Sequence, residues 1–169
     1  IEEEISRVQP KVQYRQTPLV FRNLGGKKFE HVTPQLGSAF TQPLVARGAA
    51  YADYDRDGDL DVLISTNGGP AYLYRNDGGN SNRWLRVKTA GTKSNRDGIG
   101  AVVRVKSASG TQWQLVRSGS SYCSQSELVL TFGLGRDAKV DALEVQWPSG
   151  AKQTLAAVES NQLVVVEEK

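Results

Sequence analysis

Apolar and polar residues alternate with a period of two through most of this chain, the spacing of half-buried strands and not of helices. In the C-terminal half, Ile99, Ala101, Val103 and Val105 fall on one face. After a turn at Ser109 and Gly110, a return strand carries Trp113, Leu115 and Arg117. Leu128, Leu130 and Phe132 repeat the pattern, as do Leu143, Val145 and Trp147. Trp147 to Gly150 (WPSG) is a turn with proline at its second position, leading into Gln153 to Leu155; Leu163 to Val166 is the last strand. Regular antiparallel alternation at this spacing predicts a β-sandwich or a small barrel.

The N-terminal half predicts strands at Leu19 to Asn23, Phe29 to Val32, Gly48 to Ala52, Asp61 to Ser65, Ala71 to Asn76 and Trp84 to Lys88. A repeat runs through it: Phe21, Arg22 and Asn23 align with Tyr74, Arg75 and Asn76, and each copy is followed by paired glycines, Gly25 and Gly26 or Gly78 and Gly79. Repeats of this length are typical of propeller blades or solenoids. The strands amount to roughly one and a half four-stranded blades, whereas closed propellers carry about four to eight. Either further blades lie upstream in a longer parent, or these strands pack against the following domain without a ring. Residues 1–18 form a polar lead-in, with Glu2, Glu3 and Glu4 in succession; a short helix and a loose segment are both open there.

Between two predicted strands lies DYDRDGDLD, from Asp53 to Asp61. Its aspartates stand at every second position, Asp53, Asp55, Asp57, Asp59 and Asp61, with Gly58 where the chain must turn sharply. Loops that bind Ca²⁺ draw oxygens from positions 1, 3, 5 and 7 with glycine at position 6, position 7 through its carbonyl. Here those are Asp53, Asp55, Asp57, the Asp59 carbonyl and Gly58. An EF-hand is excluded, because its position 12 requires a bidentate Glu and this chain has Ile64 there, in the apolar run Val62, Leu63, Ile64 that reads as a buried strand. Asp61 must then close the shell. The competing reading is a solvated acidic turn. Against it, five carboxylates in nine residues repel one another, with only Arg56 nearby to compensate.

Composition narrows the function classes. Seventeen glycines and six prolines agree with a turn-rich all-β chain, and no apolar run approaches the ~20 residues of a membrane helix. The chain opens on Ile1, without an initiator Met or a signal peptide, which reads as a processed chain or a fragment. Net charge is +3 despite the acidic loop. The cations gather in Arg83 to Arg117, but Arg104 and Lys106 alternate with Val103 and Val105 as the wet face of a strand does, so no nucleic-acid partner is expected. A single cysteine, Cys123, excludes an internal disulfide and reads as a small buried apolar residue. His31 is the only histidine and reads as a surface residue on a strand. RSGSSYCSQS, Arg117 to Ser126, has hydroxyls but no GxSxG elbow, and no second histidine exists to complete a triad. Gly68 and Gly69 lack the Lys-Ser or Lys-Thr of a phosphate loop. The chain is expected not to be an enzyme.

Two known families share these motifs. ARGAAYADYDRDGDLDVLISTNGGPAYLYRNDGG resembles an FG-GAP or VCBS repeat, the calcium-bearing blade unit of integrin-like β-propellers. NRWLRVKTAGTKSNRDGIGAVVRV, RSGSSYCSQS, LTFGLG and LEVQWPSG resemble the ASPIC/UnbV domain, which follows such repeats in the cartilage acidic protein family and its bacterial relatives. The resemblance implies blade strands with a calcium loop over residues 19–92 and an ASPIC/UnbV-like β domain over 93–169. It also implies an all-β fold, a partial propeller followed by a sandwich. The expected function is a non-catalytic calcium-binding module, extracellular, cell-surface or periplasmic, that engages a protein or glycan. The alternative is a structural subunit of a larger assembly.

Overall fold

The computed structural model describes residues 2–169; Ile1, the first residue of the predicted lead-in, lies outside them. The described chain is all-β apart from one short helix, Ile5–Val8, and three 3₁₀ turns. No helix among the described residues is long and apolar enough to cross a membrane. The chain divides into two compact units, Ile1–Ala49 with Leu63–Tyr74, and Ala50–Val62 with Arg75–Lys169.

In the first unit β1 (Phe21–Asn23) and β2 (Phe29–His31) form an antiparallel hairpin in which Phe21 faces His31. Their rings lie 5.3 Å apart, and His31 is exposed on its strand as the sequence predicts. Gly25, Gly26 and Lys27 all adopt positive φ in the connection. The Asn23 side chain accepts the Gly25 amide at 2.8 Å, which fixes that turn locally. Thr33, almost fully buried, ties the hairpin base to the lead-in: its hydroxyl accepts from the Val20 amide and donates to the Pro18 carbonyl.

Three further strands, β3 (Ala46–Ala52), β4 (Asp61–Thr66) and β5 (Tyr72–Tyr74), form a sheet in that order, and the division between units falls within β3 and β4. The sheets of this half thus have two and three strands, not four. Along β4, Ile64 is buried and Leu63 exposed, so the strand alternates instead of being covered on both faces.

The second unit is a sandwich. One sheet has the order β11 (Lys152–Glu159), β10 (Lys139–Gln146), β7 (Val102–Ser107), β8 (Gly110–Leu115); the other is β12 (Gln162–Glu167), β6 (Arg83–Ala90), β9 (Leu130–Gly135). A single buried cluster draws Val103, Val105, Leu143 and Val145 from the first and Leu85, Val87, Phe132 and Val166 from the second. Each such side chain contributes about 1.5–3 kcal/mol on leaving water. Trp147 is 2% exposed, and Gly98, at φ +68°, passes so close to it and to Thr89 that a Cβ would not fit.

The structure corrects three readings of the alternation and the burial expected of Cys123. The last strand is not antiparallel: β12 runs parallel to β6, Gln162 opposite Leu85 through Glu167 opposite Ala90. Asn161 starts that ladder, donating its amide to the Trp84 carbonyl at 2.6 Å while its side chain accepts from the Trp84 amide. The strand predicted at Trp84 to Lys88 with the N-terminal strands is therefore the centre of a sandwich sheet, between β12 and β9.

Trp113 and Leu115 stand opposite Arg104 and Val102 on the outer face of β8 and are 65% and 42% exposed. The inward positions of this edge strand are glutamines, whose side-chain amides donate to the carbonyls of β9, Gln112 to Gly133 and Gln114 to Thr131, both at 2.7 Å. Val116, next in line, is the residue that turns into the core, and Arg117 is exposed. Cys123 is exposed rather than buried, at φ +46° in a tight turn bridged by Ser121 and Ser124.

Candidate metal centre

The acidic loop lies wholly within the second unit, between β3 and β4. The structure brings Asp53, Asp55 and Asp61 together: one carboxylate oxygen from each lies within 4.8 Å of the other two. Backbone amides fold the loop around them. Asp53 Oδ2 accepts from the Gly58 amide at 3.1 Å, and Asp61 accepts from Tyr54 on one oxygen and from Asn76 on the other, at 2.9 and 2.8 Å. Gly58 adopts φ +101°, and a Cβ there would fall inside the Trp84 indole, so glycine is required both by backbone geometry and by space.

Asp57 and Asp59 do not join that triad through their carboxylates. Asp57 Oδ1 accepts from the Asp59 amide at 3.1 Å, and its Oδ2 accepts from the Asn80 side-chain amide at 2.8 Å. Asp59 Oδ2 accepts from the backbone amides of Gly79 and Asn80, while its Oδ1 is buried without a hydrogen-bond partner among the described residues. Burial, together with the Asp57 and Asp61 charges, raises the Asp59 pKa against the lowering pull of the Asn80 and Gly79 amides. The segment that carries the second repeat's paired glycines therefore clamps the loop from outside.

Charge compensation comes from Arg86 of β6 and not from Arg56, which is exposed and in the left-handed region at φ +65°. Arg86 reaches Asp53 Oδ2 at 2.8 Å, with the two side chains 8% and 1% exposed. It also pairs with Glu127 and donates to the Thr131 hydroxyl at 3.3 Å. Sequence reasoning missed Arg86, because in RWLRVK it sits where alternation puts the wet face. The signal for it was the loop itself, which needs a cation close by.

The donors fit a hard divalent cation. Asp53 Oδ1 is buried and has no hydrogen-bond partner among the described residues, the kind of atom a metal would satisfy, and every group at the site offers oxygen.

Among known proteins, the C-terminal part of the chain is similar to a described family. Residues 91–169 match the family described as ASPIC and UnbV, in agreement with the motifs of the C-terminal half. Over 154 residues the chain is 32% identical to cartilage acidic protein 1 of Mus musculus and 30% identical to that of Homo sapiens. Each match covers 88% of this chain and 23% of the relative. The Xenopus tropicalis protein of the same name is 36% identical over 116 residues, 66% of this chain and 18% of that one. The chain thus spans about a quarter of the length of the curated relatives it matches.

Proposed function

We propose that this chain is a non-catalytic calcium-binding β module that presents a binding surface for a protein or glycan outside the cytoplasm. The observation that carries the metal reading is the convergence of Asp53, Asp55 and Asp61 on one point, with the buried Asp53 Oδ1 lacking any other partner among the described residues. Bound there, Ca²⁺ supplies positive charge that holds several carboxylates together at neutral pH. Asp53, Asp55 and Asp61 hold the ion, and the Asp57 and Asp59 side chains, fixed by Asn80 and Gly79, keep the loop closed around it. The role is structural: the loop joins β3 to β4 and lies against β6 through Arg86. The FG-GAP or VCBS reading of β3 to β5 as part of a blade rests on the loop pattern and on the repeated unit of Arg-Asn, one intervening residue and paired glycines. Calorimetric titration of the purified chain with Ca²⁺ tests the proposal. The expected result is a single saturable site; silence at millimolar calcium, or an unchanged isotherm in Asp55→Ala, sinks it.

A second reading, a structural subunit of a larger assembly, is favoured by one observation. The β1–β2 hairpin and its flanks leave Leu19, Phe21, Leu24 and Phe29 more than half exposed, large apolar side chains gathered on one short stretch of chain. Mass measurement of the protein isolated from its source separates the two.

A further inference from the structure

A cleft of about 290 Å³ opens beside the outer edge of β8, in the same compact unit as the acidic loop. Trp113, Gln114 and Arg117 line one side, and Tyr51, Ser126 and Glu127 the other. Four features of this lining constrain its ligand.

The first is aromatic surface. Trp113 is 65% exposed and Tyr51 38%, large apolar faces on a sheet edge that sequence alternation would have buried. Tyr and Trp left at a surface with polar neighbours are typical contact residues, since one flat face excludes water while the rim stays wet. The second is charge. Arg117 is the cation of the lining, and the one carboxylate there, Glu127, is held by Arg86, which leaves the Arg117 guanidinium as the group placed to pair with a ligand anion. The third is polar content: Ser120 joins the lining with Gln114 and Ser126, whose bonds to the Thr131 carbonyl and the Tyr51 amide leave each with further capacity for a hydroxylated ligand. The fourth is size, which suits one or two rings more than an extended chain.

The far wall of the cleft is tied directly to the acidic loop. The Tyr51 amide donates to the Ser126 hydroxyl at 3.2 Å, and the Glu127 amide donates to the Tyr51 carbonyl at 3.1 Å. The Asp53 amide donates to Glu127 Oε1 at 3.2 Å. Arg86 then bridges the two carboxylates, Glu127 on one side and Asp53 on the other. Asp53 is thus both a member of the converging triad and the anchor of the cleft wall.

We propose that this cleft is a binding site for an acidic sugar, with Trp113 stacking on the ring and Arg117 pairing with the uronate carboxylate, and that the cation at Asp53 sets the wall through Arg86 and Glu127. The coupling rests on the calcium reading; the ligand class does not. An isolated carboxylate peptide would satisfy Arg117 but leave the Trp113 face uncovered. A neutral sugar would cover Trp113 and leave Arg117 unpaired.

The test uses the whole chain, followed by tryptophan fluorescence and calorimetry. The probes are a disaccharide of glucuronate and N-acetylglucosamine, its neutral counterpart built from N-acetylglucosamine alone, and an acidic peptide. In calcium the uronate sugar is expected to bind about tenfold or more tighter than the neutral one. Trp113→Ala and Arg117→Ala each weaken it about tenfold while leaving the calcium isotherm intact, as exposed residues outside the loop should. Chelating calcium weakens the sugar about tenfold. A normal calcium isotherm without uronate binding, or uronate binding indifferent to Trp113→Ala, overturns the cleft assignment while the metal reading stands. Tighter binding of the peptide than of the sugar overturns the ligand class. An absent calcium isotherm with full uronate affinity overturns the coupling and the metal reading together, and leaves the sugar site supported.

Discussion

Arg86 and Asp53 make an ion pair at 2.8 Å with both side chains nearly removed from solvent, and the arginine's second carboxylate partner is Glu127. At Arg86, β6 is therefore covered on both faces, by the sandwich core on the side of Leu85 and Val87 and by the acidic loop on the other, although Lys88 further along that face is exposed. Breaking a buried pair from one side leaves uncompensated charge and typically costs about 3–5 kcal/mol. Arg86→Met is expected to lose stability in that range in chelator and visibly less in calcium, where a cation restores the balance. Urea unfolding under both conditions measures the difference; equal losses would show that Arg86 and the cation act independently.

Asp55 and Asp61 offer a paired comparison. Both belong to the converging triad, but Asp61 also accepts two backbone amides and is 2% exposed, whereas Asp55 lies at the surface. Asp61→Ala should lower stability by about 1–3 kcal/mol for each amide orphaned, with or without calcium. Asp55→Ala should leave the metal-free protein within about 0.5 kcal/mol of the parent and remove only the calcium-dependent increment. That increment is about 2.7 kcal/mol when free calcium is a hundred times its dissociation constant. Thermal unfolding with and without calcium distinguishes the two variants.

Gly58→Ala tests the packing of the loop on the sandwich. The new Cβ would meet the Trp84 indole and must also hold φ +101°, strain of order 1–3 kcal/mol before the clash is counted. The expected outcome is a lower unfolding temperature and weakened calcium binding. Gly58→Ala combined with Trp84→Ala should recover part of the loss, because only the steric share of the penalty is relieved.

Glu168 gives a pH signature. It is buried, and although burial favours the protonated form, hydrogen bonds from Ser149, from the Ser94 and Lys93 amides and from the Ser94 hydroxyl overcome this and lower its pKa from 4.5 to about 2. A folded pKa below the unfolded one means that the stabilisation is fully present above pH 4.5 and is lost as pH falls toward 2. Denaturant midpoints measured across that window should fall with acid in the parent and be flatter in Glu168→Gln. A parallel fall in both would place the acid sensitivity in other carboxylates.

Much of this was legible in the chain. Inward alternation located Val103, Val105, Leu143, Val145 and Trp147, all buried as predicted, because central strands with one wet face obey the period-two rule. The rule failed on the edge strand β8, where glutamines face and donate to carbonyls of the neighbouring sheet and the tryptophan faces water. It failed again at Arg86, where a charged residue at a wet-face position is covered by a loop distant in sequence. The aspartate spacing identified the five acids, but only the folded loop separates Asp53, Asp55 and Asp61, which converge, from Asp57 and Asp59, whose side chains stitch the loop. The direction of the last strand had no sequence signal at all. Alternation is the same for parallel and antiparallel neighbours, and the crossover depends on which sheet the turn at Asn161 enters.

The parallel pairing of β6 with β12 also governs how the unit can form. Trp84 and Asn161, which start that ladder, are 77 residues apart, and the other neighbour of β6 is β9, itself well downstream. The earliest strand of the sandwich emerges from the ribosome with neither flank occupied and waits for partners that come later. Pairings of such long range fold slowly, and an unpaired apolar strand is open to mispairing meanwhile. The acidic loop precedes β6 in the chain and in the folded unit holds it through Arg86, so this one contact of the strand involves only residues made before or with it.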